Sequence, residues 1–169
     1  TSCPICYRVF KEDYQLDIEV LHHSEYLLRL VEEGKISLST DKKETVVYHD
    51  PCELGRGSDI YEAPRNLIQK INTLANTSFE KENALCCGGS LGNTQISVKK
   101  RQEIATDALQ KINPNNYKLI TACPLCKKTF AQSGETEVID IAQLVAMNLT
   151  TKASKTIKKK ETVGEYSIA

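Results

Sequence analysis

Apolar residues along this 169-residue chain fall into short runs that repeatedly end at a cysteine. Residues 45–48 (T-V-V-Y) follow the charged loop 41–44 and read as a short buried strand that runs into His49-Asp50-Pro51-Cys52. Residues 63–74 set Leu67, Ile68, Ile71 and Leu74 at the spacing of an amphipathic helix, with Pro64 acceptable in its first turn. A second helix is predicted over 96–112, with Ile104, Ala105, Ala108 and Leu109 on its inner face, and residues 117–121 (Y-K-L-I-T) form another strand ending at a cysteine. Strand, cysteine loop and helix alternate. That order predicts an α/β fold: a Rossmann-like parallel sheet with cysteine loops at the carboxyl ends of its strands. Helix N-termini share that edge, where their free N–H groups favour thiolate over thiol.

The chain also repeats itself. T-S-C-P-I-C-Y-R-V-F at 1–10 returns as T-A-C-P-L-C-K-K-T-F at 121–130, and each copy leads through a polar stretch and E-V-[LI] into an apolar, helix-like run, 19–30 in one and 137–147 in the other. The expected organisation is the end of a preceding module over 1–40, a complete module over 41–149, and a solvated Lys-rich tail over 150–169. The first copy has no upstream half to supply companion ligands.

Composition narrows the classes. With 40% hydrophobic and 26% charged residues the chain reads as an ordinary globular domain. Lys+Arg 22 against Asp+Glu 22 leaves no global electrostatic case for nucleic acid or an anionic membrane. Seven cysteines is an odd number. No signal-peptide pattern and no apolar run of membrane-spanning length accompanies them. That argues against an extracellular disulfide framework and for a reducing, cytoplasmic setting with no direct membrane span.

Five cysteines form one pattern, Cys52, Cys86-Cys87 and Cys123 with Cys126, spaced C-x33-CC-x35-C-x2-C. Thiolates are soft ligands suited to zinc or to iron–sulfur clusters. Structural zinc takes four ligands in a tetrahedron, whereas five donors that include an adjacent pair suit a cluster with several irons. The compact C-x2-C-x2-C-x3-C-P run of ferredoxins is absent, so any site here is assembled from separate loops. Gly88 and Gly89 after the doublet let backbone N–H groups approach a ligand. Together with Gly92 they do not make a dinucleotide fingerprint, because the spacing is not G-x-G-x-x-G. His49 and Asp50 are candidates for hydrogen-bonding cluster sulfur or supplying protons in thiol chemistry, and Asp50 could instead cap the turn around Pro51. Arg56, between Gly55 and Gly57, could steady an anion or offset cluster charge. His22 and His23 follow a strand-like D-I-E-V-L and are candidates for a structural or a proton-carrying role.

Y-H-D-P-C-E-L-G-R at 48–56, A-L-C-C-G-G at 84–89 and T-A-C-P-L-C at 121–126 resemble the CCG cysteine-rich domain of the B and D subunits of heterodisulfide reductase, which recurs in iron–sulfur subunits of glycerol-3-phosphate, glycolate and lactate oxidation. The resemblance runs from Thr1 to about Leu149. Glu53, where His is frequent in the family, and the G-G-S-L-G-N stretch depart from it. It implies that Cys52, Cys86, Cys87, Cys123 and Cys126 hold a 4Fe–4S cluster, of cubane or non-cubane kind, and that Cys3 and Cys6 belong to a second metal site. It further implies an oxidoreductase module that relays electrons to or from a disulfide, a quinone or a flavin partner. The partner would be a flavin or ferredoxin-type iron–sulfur subunit, working on a small-molecule disulfide, a hydroxy acid pathway or quinone, in the cytoplasm or at the inner face of the membrane through partners. Two readings from other classes stand beside it: a zinc-stabilised interaction module without redox activity, and a dithiol exchanger using Cys123 and Cys126, which leaves three cysteines of the pattern unexplained.

Overall fold

A computed structural model describes residues 1–14, 16–41, 43–89 and 95–150. Lys42, Gly92 with its neighbours at 90–94, and the Lys-rich tail at 151–169 lie outside the described residues. The elements run α1 (Pro4–Arg8), continued by a π-helical turn at Val9–Asp13, α2 (His23–Glu32), β1 (Thr45–His49), α3 (Gly55–Ser58), α4 (Glu62–Gln69), β2 (Thr73–Leu74), a 3-10 turn at Lys81–Asn83, α5 (Val98–Ile112), β3 (Lys118–Thr121), α6 (Pro124–Ala131), β4 (Val138–Asp140) and α7 (Ile141–Met147).

The four strands form one sheet in the order β2-β1-β3-β4, with every pairing parallel. Side chains alternate across it as the strand period requires. Val46, Tyr48, Ile120 and Ile139 face a core made by Leu67 and Ile68 of α4 and by Ile141, Leu144 and Val145 of α7, with Leu27, Leu28 and Val31 of α2 packed outside. Val47, Leu119 and Val138 face the other core, built from Ala105, Ala108, Leu109 and Ile112 of α5 and Phe130 of α6. Both faces are covered, as parallel sheets demand.

Three elements differ from expectation, one being the helix-like run 137–147, whose residues Val138–Asp140 pair with β3 as β4 before α7 begins at Ile141. The helix over 63–74 stops at Gln69, and Leu74 sits in β2 instead: the Thr73 amide donates to the Glu44 carbonyl at 2.9 Å and the Ala75 amide to that of Val46 at 2.8 Å. Pairing with β1 outweighs one more helical turn. Residues 17–21 are not a strand. No neighbouring strand pairs with them, whereas their counterpart at 138–140 pairs with β3. The N-terminal part packs on the rest of the molecule, α2 lying against α4 and α7.

Candidate metal centre

β1 and β3 are neighbours in the sheet, paired from Val46↔Lys118 to His49↔Thr121, so the loops leaving their carboxyl ends emerge side by side. One carries Cys52. The other reaches Cys123, which caps α6 with Pro124 in its first turn and Cys126 on the same turn. A strap over 75–85 brings Cys86 and Cys87 to the same edge. The Cys87 and Cys126 sulfurs lie 3.3 Å apart, and Cys52 with Cys86, Cys86 with Cys87, and Cys123 with Cys126 are in hydrogen-bonding contact. The five thiols thus form a string, Cys52–Cys86–Cys87–Cys126–Cys123. Among the described residues no three His, Cys, Asp or Glu side chains converge closely enough to hold a single ion.

Protons along the string are unevenly held. Cys86 is driven well below the ordinary thiol range by hydrogen bonds from Cys52 and Cys87, helped by the Gly88 amide, which donates to its sulfur at 3.3 Å. Cys123 is brought down to about 7 by Cys126, and the Cys126 and Leu125 amides at the start of α6 add to this. Their neighbours move the other way. Cys52 is raised by its bond to Cys86, and Cys126 is raised by Cys123 and Cys87 together with burial. At Cys87 the contact with Cys126 lowers the thiol, but Cys86 and burial outweigh it. Cys86 and Cys123 are thus the sulfurs that lose a proton most readily, and their partners donate to them. Such a set suits a cationic metal group, because backbone amides already point at the sulfurs. Gly89 makes close approach possible: a Cβ there would come within 2.5 Å of Thr129 Oγ1 and 3.5 Å of the Cys87 sulfur. Gly88 has φ +79°.

The polar residues around Cys52 pin the strap. His49, 1% exposed, donates from Nε2 to the Leu85 carbonyl at 2.9 Å, a bond that fixes the tautomer since the carbonyl can only accept. Its Nδ1 faces Thr121 Oγ1 at 3.4 Å, its ring lies edge-on to Phe130 at 4.7 Å, and burial lowers its pKa, keeping it neutral. Arg56 Nη1 donates to the Glu82 and Ala84 carbonyls at 3.1 and 2.8 Å. Asp50, 2% exposed, has both oxygens taken by Arg65, and Oδ2 also accepts from the Lys81 amide at 2.9 Å. Asp50 thus holds neighbouring chain in place. Sequence reasoning missed Arg65, because an arginine on an amphipathic helix reads as solvent face.

Cys3 and Cys6 contact each other, and that bond raises Cys6. Cys6 is exposed, whereas Cys3 lines the same cleft as Cys52, Cys87, Cys123 and Cys126. His22 and His23 stack at 4.3 Å. His22 Nε2 approaches the Ser2 carbonyl at 3.3 Å, and His23 lies 3.6 Å from Asp140.

The sequence profile of the CCG cysteine-rich domain matches residues 46–131, which span Cys52, the doublet and the final C-x2-C. The chain belongs to this family. Among curated relatives, the D subunit of a dihydromethanophenazine:CoB–CoM heterodisulfide reductase from Methanosarcina acetivorans is 31% identical over 165 residues, covering 88% of this chain and 40% of its own length. A probable iron-sulfur-binding oxidoreductase, FadF, of Bacillus subtilis is 30% identical over 88% of this chain and 23% of its own length. An EtfAB:quinone oxidoreductase of Syntrophomonas wolfei is 30% identical over 85% of this chain and 23% of its own. The chain spans about two fifths of the first of these and under a quarter of the others. The CCG chain is thus similar to parts of iron–sulfur and redox proteins, one further relative being named a probable membrane-anchored ferredoxin. Among the described residues no helix is long and apolar enough to cross a membrane.

Proposed function

We propose that this CCG domain is an electron-relaying module of an iron–sulfur oxidoreductase, with Cys52, Cys86, Cys87, Cys123 and Cys126 holding a 4Fe–4S cluster. One observation carries the reading: the Cys52 loop, the doublet and the C-x2-C turn, far apart in sequence, meet as one string of thiols at the carboxyl edge of the sheet. Five donors from three loops exceed what a tetrahedral zinc site uses. When bound, the cluster would supply one-electron steps that link a two-electron donor or acceptor, such as a flavin, a quinone or a disulfide, to a partner subunit. The chain's own contribution is to present sulfurs and amide donors, to bury Cys87, Cys123 and Cys126 in one apolar cluster with Phe130, and to hold the strap through His49, Asp50 and Arg56. The names of relatives favour quinone or heterodisulfide partners, and the same reading takes in a flavin partner and a place in the cytoplasm or at the membrane's inner face. Residues 1–40 belong to a preceding module, and 41–149 form the complete one. Cys3 and Cys6 are ligands of a second site.

Anaerobic reconstitution with iron and sulfide tests the reading. About four irons and matching sulfide per chain, with a reductant-dependent paramagnetic signal lost in Cys86→Ala, is the expected result. One tightly held zinc and no iron would instead make this a structural module. A Cys52→Ala chain that keeps full dithiol exchange through Cys123 and Cys126 would point to thiol exchange without a cluster.

A further inference from the structure

Arg65 lies on α4, outside every cysteine motif, and is 6% exposed. Its guanidinium grips Asp50 at both ends, Nη1 to Oδ1 at 2.5 Å and Nη2 to Oδ2 at 2.6 Å, while Nη1 also donates to the Tyr61 carbonyl at 3.1 Å. It lies over the Tyr48 ring at 5.2 Å, and exposed Glu80 comes to 3.6 Å. A desolvated ion pair of this kind adds little net stability over well-packed apolar residues, so its geometry is the informative part.

That geometry ties two cysteine-bearing segments together. Asp50 stands two residues before Cys52, and the same Oδ2 that Arg65 holds accepts from the Lys81 amide, five residues before Cys86. Lys81 has φ +52°, a left-handed conformation that a side-chain-bearing residue keeps only where the surroundings impose it. Two bonds impose it here: its amide on Asp50, and its Nζ on Glu62 of α4 at 2.7 Å. α4 therefore holds the strap at the point where its backbone is strained.

We propose that Arg65 is a positioning residue of the cysteine site, setting through Asp50 and the Lys81 amide the spacing of the Cys52 loop from the Cys86–Cys87 strap. The purpose of that spacing rests on the metal-centre reading, but the spacing itself belongs to the metal-free chain and can be measured there. No side chain but arginine supplies a planar two-pronged donor, so lysine should substitute only in part.

The test is the alkylation rate of each cysteine by iodoacetamide, resolved by peptide mass spectrometry, in the reduced metal-free protein well below each variant's melting temperature. Arg65→Gln should speed Cys52 and Cys86 by about tenfold through local opening, leave Cys123 and Cys126 within about twofold of wild type, and Arg65→Lys should fall between. Glu80→Gln should match wild type. If Arg65→Gln does not fold, Arg65→Lys carries the test with the same selectivity. Unchanged Cys52 and Cys86, or equal acceleration at every cysteine, would overturn the proposal. A second readout is iron loss to a chelator from reconstituted protein, which Arg65→Gln should hasten by about 10–100-fold with an altered paramagnetic line shape. Failure of the wild-type chain to load iron would count against the metal centre and leave the alkylation result to decide on Arg65.

Discussion

At Pro4–Arg8 and Pro124–Ala131 the same C-P-x-C sequence starts a helix with its first cysteine at the cap and proline in the first turn, and a second, boxed cap follows, His22 with Glu25 in one copy and Asp140 with Gln143 in the other. The surroundings then diverge. Cys126 and Phe130 are 4% and 0% exposed, whereas Cys6 is exposed and Phe10 is 36% exposed. The C-terminal copy is followed by β4, whereas residues 17–21, which stand in the matching place after the N-terminal copy, form no strand. At the second cysteine the thiols move alike, Cys6 raised by Cys3 and Cys126 by Cys123 and Cys87, and the buried copy adds Cys123, pulled down to about 7. Local sequence makes the helix start, and the sheet edge makes the site.

The largest expected contrast is in acid. Burial lowers His22 to about 3, so the neutral cap stabilises the fold fully above its unfolded pKa of 6.5, and that contribution falls away as pH drops from 6.5 towards 3. The loss reaches about 4 kcal/mol. His22→Asn keeps a capping acceptor without the titration, so urea unfolding from pH 7 to 4 should show a flattened acid limb. A limb unchanged in this variant would move the acid sensitivity away from the N-terminal copy.

Next comes the paired phenylalanine. Phe130→Ala should cost about 3–4 kcal/mol in denaturant unfolding, because the ring is fully buried against His49. Phe10→Ala should stay within about 0.5 kcal/mol. Similar costs would mean that the first copy is buried by something these contacts do not include.

Thiol reactivity sharpens the same contrast by a smaller amount. In metal-free, reduced protein the alkylation rate of Cys86 should be nearly flat from pH 6 to 8, since its sulfur is already charged, while that of Cys6 should climb about tenfold per pH unit. Parallel profiles would remove the charge difference between the cysteine string at the sheet edge and the N-terminal copy. The smallest effect is at the cap: Asp140→Ala, which removes the acceptor for the Ala142 amide at 2.8 Å, should cost about 1 kcal/mol of thermal stability.

Much of this molecule is legible in its sequence, for reasons that can be located. β1 and β3 are short apolar runs that lead into cysteine loops, and the second half of α5 sets Ala105, Ala108, Leu109 and Ile112 on one face, so period and type agree. Leu74 escapes the pattern because Leu67, Ile71 and Leu74 satisfy helical spacing even though the chain has already left the helix, and a two-residue strand leaves no period to read. The spacing singles out the five cysteines that meet in the string but not their order along it. The pins that hold it do not: Arg65 meets Asp50 across 15 residues, and the left-handed turn at Lys81 has no glycine to announce it.

The register of β1 against β3 has a further consequence, for order in time. His49 pairs with Thr121, so the ends that carry Cys52 and Cys123 meet only after a loop of some seventy residues has closed, a step whose entropic cost grows with the logarithm of loop length. One face of the sheet is covered by α4 and α7 over a core without cysteine, whereas the core on the other face includes Cys87, Cys123 and Cys126. A nascent chain would therefore complete the thiol-free half of its scaffold on apolar contacts alone, in contrast to small zinc domains that acquire their shape from the ion.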